Sequence, residues 1–278
     1  MLYNMSFLLA YNRRRHLGLI EIAKLVTMNL NGFQYRLLIF KKKIFSGIFC
    51  MLLGLSTAHA EWHGEVGVLS NYVYRGYSKS QGDPVFQGHL DYQNDNGWFT
   101  GLGLSQVNFE SLRRSNLATV EIKPYVGWAM PLSSNLRTEL SVSGYIYNGN
   151  IFGQAGDYAE LNTALHYQDW LSAKVSVAPN AYQRHVTIPN YELIYRRDIL
   201  DTVRFSGGLG YYQAKGLMGQ NFFYWNLGVS WFLTSYLALD IRYVDANVKE
   251  HFDTDLDHDE FYPRPLTNKY LLSLTVGF

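Results

Sequence analysis

The chain has 278 residues with 24 Lys plus Arg against 23 Asp plus Glu, enough length for one large domain or two small ones. Eight of those 24 bases (Arg13, Arg14, Arg15, Lys24, Arg36, Lys41, Lys42, Lys43) and one of the 23 acids, Glu21, fall in residues 1–60, which leaves residues 61–278 with 16 bases, 22 acids and a net charge of −6. An acidic body argues against a general binder of phosphate backbones, so nucleic acid is not an expected partner. The single cysteine, Cys50, excludes a disulfide framework and a thiolate zinc site. Charged residues are 17% of the chain against a usual value of about 25%, and together with 22 Tyr and 24 Gly this composition suits β-structure in an apolar surrounding.

Residues 1–40 carry no periodic pattern and put an overlong leader ahead of a basic cluster. The expectation is a start codon assigned too early, with Met28 or a non-Met start near Lys41 as the true one. Lys41-Lys42-Lys43, the apolar run from Ile44 to Leu55 and Ala58-His59-Ala60 are the three parts of a secretory signal peptide over residues 41–60. A membrane-spanning helix needs about 20 apolar residues, more than this run holds. Cys50 follows Gly47-Ile48-Phe49, not the small residues of a lipoprotein cleavage site, so the mature chain is expected to begin at Glu61 without a lipid anchor.

From residue 61 onward apolar and polar side chains alternate with period 2, which marks strands between two unlike environments. Arg137, Glu139, Ser141, Ser143 and Tyr145 interleave with Leu136, Leu140, Val142 and Ile146, and Glu160, Asn162 and His166 oppose Ala159, Leu161, Leu165 and Tyr167. Twelve such segments are predicted, at 65–76, 84–94, 97–109, 117–129, 135–147, 157–168, 171–182, 189–197, 202–213, 221–232, 235–246 and 267–278. Each has about the 9–11 residues of a tilted membrane strand, or slightly more.

A soluble β-sandwich would also alternate. The connections favour an outer-membrane barrel, because short links such as Asn94-Asp95-Asn96-Gly97 and Gln168-Asp169-Trp170 take turns with longer ones such as Asn148 to Gly156 and Asn247 to Leu266. Trp62, Trp98, Trp128, Trp170 and Trp231 all fall beside the short links, as an aromatic girdle requires, and only Trp225 lies within a strand. The fold class predicted is a single, all-β, transmembrane antiparallel barrel of about twelve strands over residues 61–278. Its last strand places Tyr270, Leu272, Leu274, Val276 and the terminal Phe278 on one face, resembling the C-terminal signal read by the barrel-assembly machinery of outer membranes.

The stretch Ser70 to Pro84, containing Tyr72, Arg75, Gly76, Gly82, Asp83 and Pro84, continues through Gln87, Gly88, Asp91 and Tyr92. It resembles the opening motif of the TorF-type porins, catalogued earlier as a conserved bacterial family of unknown function. Likeness is sharpest over residues 64–104. The resemblance implies an outer-membrane barrel and a pore, and carries no catalytic or ligand residue to transfer.

The polar faces hold Asp91, Glu121, Glu139, Glu160, Glu192 and Asp240 beside Lys123, Arg137, Lys174, Arg196, Arg204, Arg242 and Lys269. As a pore lining this near-balance predicts weak ion selectivity set by local geometry. The competing reading is that these charges pair across the lumen and close it, since twelve strands enclose less than a 16-stranded porin. A lipid-modifying enzyme would need a nucleophile within reach of a base. The two wall histidines, His89 and His166, face the predicted lumen, and no G-x-S-x-G motif is present. A structural or adhesive barrel is a third class.

The last outer loop, Glu250 to Glu260, alternates Asp253, Asp255 and Asp257 before Asp259, but His258 and Arg264 stand where an EF-hand needs Gly and an acid. It is read as a solvated charge run and only a weak candidate for divalent cations.

The sequence as a whole reads as a passive channel for small hydrophilic solutes in the outer membrane of a Gram-negative bacterium. Its partners are outer-membrane lipid, lipopolysaccharide and the barrel-assembly machinery, and it needs no cofactor, metal or catalytic residue. Mass spectrometry of the membrane-extracted protein is expected to give Glu61 as its N-terminus and no peptide from residues 1–27; such peptides would refute the shortened start.

Overall fold

A computed structural model describes residues 61–109, 116–248 and 266–278. The leader, the signal peptide and the loop with Asp253, Asp255, Asp257 and Asp259 lie outside the described residues. In chain order the strands are β1 (Glu61–Leu69), β2 (Val73–Tyr74), β3 (Tyr77–Ser78), β4 (Val85–Gln93), β5 (Trp98–Gln106), β6 (Val120–Pro131), β7 (Leu136–Tyr147), β8 (Asn150–Ile151), β9 (Gln154–Ala155), β10 (Tyr158–Tyr167), β11 (Leu171–Ala178), β12 (Ile188–Leu200), β13 (Val203–Tyr212), β14 (Phe222–Phe232), β15 (Leu237–Ala246) and β16 (Lys269–Gly277). Twelve of them close into one antiparallel barrel, in which chain neighbours pair and β16 meets β1, while β2–β3 and β8–β9 are separate two-stranded hairpins. The predicted fold class and strand count are those observed.

Closure corrects the first predicted strand. The wall strand is Glu61–Leu69, held to β4 from Glu61↔Gln93 to Leu69↔Val85 and to β16 from Glu65↔Gly277 to Leu69↔Ser273. Residues 70–76, predicted to continue the wall, turn into the barrel instead. Arg75 (φ 47°) and Gly76 (φ 83°) form the two-residue turn of β2–β3, with the paired positive φ angles that suit a tight hairpin. Apolar alternation continues across Tyr72 and Tyr74 and conceals that turn. The predicted strand 171–182 likewise stops at Ala178, and Ala181–Gln183 form a single 3-10 turn.

The outward face is apolar. Val126, Val142 and Leu161 lie side by side in register on β6, β7 and β10, and are 49%, 43% and 54% exposed. A continuous belt of this kind fits hydrocarbon and not water. Aromatic side chains border the belt at both edges. At the end where β1 begins and β16 finishes, Trp98 stacks on Trp128 at 6.1 Å and Trp62 packs on Tyr92 at 5.2 Å. At the opposite end, which carries the long connections, Tyr211 meets Phe223 at 4.7 Å and Tyr243 meets Tyr270 at 5.4 Å.

The hydrophobic core lies inside the barrel at that long-connection end. Leu69, Val85, Tyr145, Tyr147, Ile188, Tyr212 and Phe222 from the strand ends pack against Tyr72, Tyr77, Ile151, Tyr182 and Leu217 from the connections. The expected cost of Val142→Arg is about 2–4 kcal/mol for a charge on the lipid face near mid-membrane, measured by denaturant unfolding from lipid vesicles. A cost near zero would place Val142 in water and refute the membrane belt.

Candidate functional site

Residues 70–84, between β1 and β4, fold into the lumen and carry the motif that includes Tyr72, Arg75, Gly76, Gly82, Asp83 and Pro84. Buried backbone groups need partners, and the segment supplies many of its own. Lys79 N–H donates to Tyr72 O (2.8 Å), Tyr72 N–H to Ser80 Oγ (2.9 Å), and Ser78 Oγ to Asn71 Oδ1 (2.6 Å). Asn108 ties it to the next connection, donating its N–H to Lys79 O (2.8 Å) and its side-chain amide to Asp83 Oδ2 (2.8 Å).

Two cations anchor the segment to the wall. Lys79 Nζ lies 2.5 Å from Glu121 Oε2, and both side chains are shut off from solvent. Tyr147 OH donates to the same oxygen (2.6 Å) and Tyr72 OH to Glu121 Oε1 (2.7 Å), so both oxygens of the carboxylate are engaged. Arg75 Nη1 lies 2.7 Å from Glu160 Oε2, also buried. Tyrosine rings surround the Lys79 ammonium, with centroids at 4.0 Å for Tyr74 and 4.9 Å for Tyr145, a cation–π arrangement. Tyr145 stacks on Tyr158 at 4.5 Å, and Tyr77 OH lies 2.7 Å from Tyr182 OH. Strand register assembles the wall side of this site. Glu121 is opposite Tyr147 across β6–β7, and Tyr145 is opposite Tyr158 across β7–β10, beside Glu160.

Burial holds the Lys79 ammonium below the ordinary lysine range, with Glu121 opposing that shift. Desolvation offsets much of the attraction in a buried pair of this kind, so the pair fixes position more than it adds stability.

Beneath the segment is a cavity of about 260 Å³, lined by residues 71–76 and by eight of the predicted pore charges: Glu121, Lys123, Lys174, Glu192, Arg196, Arg204, Asp240 and Arg242. Arg242 reaches Asp240 Oδ2 (3.0 Å), Asn226 Oδ1 (2.6 Å) and Ser206 Oγ (2.9 Å). Arg204 forks onto Asp198, an acid beyond the predicted set. Tyr224 lies across Gly210, where a Cβ would overlap its ring, and donates to Glu192 Oε1 (2.7 Å).

The other five predicted charges lie elsewhere. Glu160 is held by Arg75, Arg137 pairs with Glu139 at 3.0 Å, and Lys269 is exposed at the start of β16. Asp91 is buried with His89 Nε2 3.4 Å from its Oδ2, too long for a good hydrogen bond. Around the cavity itself acids and bases are interspersed, with Glu192 on β12 and Asp240 on β15 among Lys174, Arg196, Arg204 and Arg242, and with Glu65 on β1. Of the other motif residues, Gln87 and Gly88 line the cavity from β4, and Tyr92 joins the aromatic border.

His166 makes hydrogen-bonding contacts within the wall. Its Nδ1 is 2.8 Å from Ser172 Oγ, directly opposite across β10–β11, and its Nε2 is 3.4 Å from Glu139 Oε2. Ser172 sits on a regular strand without the sharp turn that lifts a serine nucleophile, and the trio serves as a wall contact. No group of three His, Cys, Asp or Glu among the described residues is placed to hold a metal ion.

Sequence reasoning missed Lys79 and the tyrosines 145, 147, 158 and 182. The available signal was two bases four residues apart, Arg75 and Lys79, on either side of Gly76 and ahead of Gly82 in a tyrosine-rich stretch. Lys79→Met is expected to destabilise the barrel by about 3–5 kcal/mol, since it leaves Glu121 buried without its counter-charge. Adding Glu121→Gln should recover about half or more of that loss in denaturant unfolding. No recovery would show that the pair does not couple the segment to the wall.

Solved outer-membrane channels are similar to this chain at low identity. The KdgM porin in complex with disordered oligogalacturonate aligns over 78% of this chain and 96% of that one, at 8% identity and a TM-score of 0.46. The NanC porin aligns over 78% and 99%, at 11% identity and 0.45, and the toluene transporter TodX of Pseudomonas putida over 81% and 90%, at 10% identity and 0.44. No curated protein matches the chain in sequence. The model of Gcw_chp, a bacterial protein family of unknown function, matches residues 56–267, which include the whole inward segment, and the chain belongs to that family.

Proposed function

We propose that the protein is an outer-membrane channel for small hydrophilic solutes, of the TorF porin type, in a state closed at the long-connection end by residues 70–84. The observation that carries this reading is the nature of the obstruction. An apolar-faced closed barrel holds a charged cavity, and residues 70–84, anchored through Lys79–Glu121 and Arg75–Glu160, stand across it. A barrel that served only as an anchor has no need of a charged interior, since burying charge is unfavourable.

In this reading the termini face the periplasm, export uses the signal peptide of residues 41–60, and the cavity-lining charges choose among solutes. Lys174, Arg196, Arg204 and Arg242, interspersed with Glu192 and Asp240, support weak selectivity set by local geometry along the passage. A second reading, a non-conducting structural barrel, is favoured by the packed core at the long-connection end.

Planar-bilayer conductance of the folded protein separates the two. Brief, small steps are expected from the native chain, and persistent, larger steps from a variant whose residues 72–82 are replaced by a short Gly-Ser linker. Silence from both, with folding verified by heat-modifiable gel mobility, would refute the channel.

A further inference from the structure

We infer that Glu121 and Glu160, with the tyrosines between them, form a binding site for small organic cations carrying ammonium or guanidinium groups, and that its occupancy releases residues 70–84. The segment now fills that site with one cation of each kind, Lys79 and Arg75. Tyr72 and Tyr74 travel with the segment. Glu121 on β6, Tyr145 and Tyr147 on β7 and Glu160 on β10 belong to the wall and stay behind, on three neighbouring strands in fixed register. Tyr147 OH still donates to Glu121, and the Tyr145 ring still flanks the place of the ammonium, 4.9 Å from its centroid.

Lys123 on β6, 4.8 Å from the Tyr145 ring centroid, compensates part of the charge on the two carboxylates, but release of the segment removes both of their bonded counter-charges, so incoming cations favour it. A free amine offers the N–H donors of Lys79 and the same attraction to the tyrosine faces, so the exchange replaces like contacts with like. Sodium offers neither a donor fork nor a weakly hydrated face. Lys79 is tethered and acts at an effective concentration in the millimolar range, which a free monoamine must match. A diamine spanning both carboxylates competes for Lys79 and Arg75 together, and succeeds at a lower concentration by the same multivalent argument.

The site does not depend on conduction; only its effect on passage rests on the channel reading. Amide hydrogen exchange across residues 70–84, measured by mass spectrometry on the full folded protein in micelles, reads displacement directly. About ten millimolar 1,4-diaminobutane, a level set by the tether argument, is expected to speed exchange of this segment at least about tenfold. N-methylguanidinium should act more weakly, and sodium chloride of equal ionic strength or 1,4-butanediol should have no effect. No acceleration, or equal acceleration by sodium, would overturn the inference. In Glu121→Gln with Glu160→Gln the segment should exchange rapidly without amine and ignore its addition; a persisting response would put the site elsewhere and overturn the assignment. Should that variant fail to fold, the native titration decides alone. Accelerated exchange beside a silent bilayer would reject the channel and leave the site standing.

Discussion

Everything inside this barrel follows from where its first strand meets its last. A barrel closes only if the terminal strands pair with each other, and β16 has nine residues to offer, beginning at Lys269. The seam runs from Glu65↔Gly277 to Leu69↔Ser273 and ends there, because Ser70 then takes Leu272 as its last partner through its backbone N–H. Past that point the chain leaves the wall, while β16 continues beside β15 to Lys269. The residues from Ser70 to Pro84 must project outward into solvent or turn inward, and their backbone settles the matter: Arg75 and Gly76 at positive φ fold the segment back on itself within the lumen.

Turning inward imposes a chemical demand. The segment carries Arg75 and Lys79 into a region from which water is excluded, and a charge there must meet a counter-charge and further hydrogen bonds. The wall meets it with Glu121 and Glu160, which alternate onto the inner face of β6 and β10 by the same period that puts Val126, Val142 and Leu161 into the outer belt. A hydrophobic plug of equal volume would hold more firmly, because it would carry no desolvation cost. Retaining the ions gives a segment that sits in one place yet depends on replaceable contacts, which is the behaviour required of a gate.

Much of this was legible in the sequence. The twelve wall strands, the alternation of short and long connections and the tryptophans beside the short turns all follow from period 2 and from the chemistry of the two sides of a sheet, and the structure places them in order. What escaped was the inward segment. Tyr72 and Tyr74 keep the strand period, so the local pattern of Asn71 to Gly76 reads as a continuation of the wall, and the turn at Arg75 and Gly76 that ends it leaves no mark on that period. The ion pairs were hidden for a different reason. Glu121 and Glu160 look like ordinary lumen charges until Lys79, 42 residues from Glu121, is placed beside them, and no periodicity links residues so distant.

Tyrosine explains why the composition pointed to the right class while leaving the interior undetermined. Its ring is apolar enough for a lipid border, as at Tyr243 and Tyr270, yet its hydroxyl lets it serve a buried polar network, as Tyr147 does on Glu121. Tyr145, at a wall position predicted as polar-facing, uses its buried ring for both of its contacts, stacking on Tyr158 and flanking an ammonium. A lumen walled by leucine would exclude Lys79, and one walled by carboxylates alone would hold it in water. A wall of tyrosines interspersed with two acids gives the Lys79 ammonium a counter-charge and ring faces together, and that combination makes the contact between segment and wall specific.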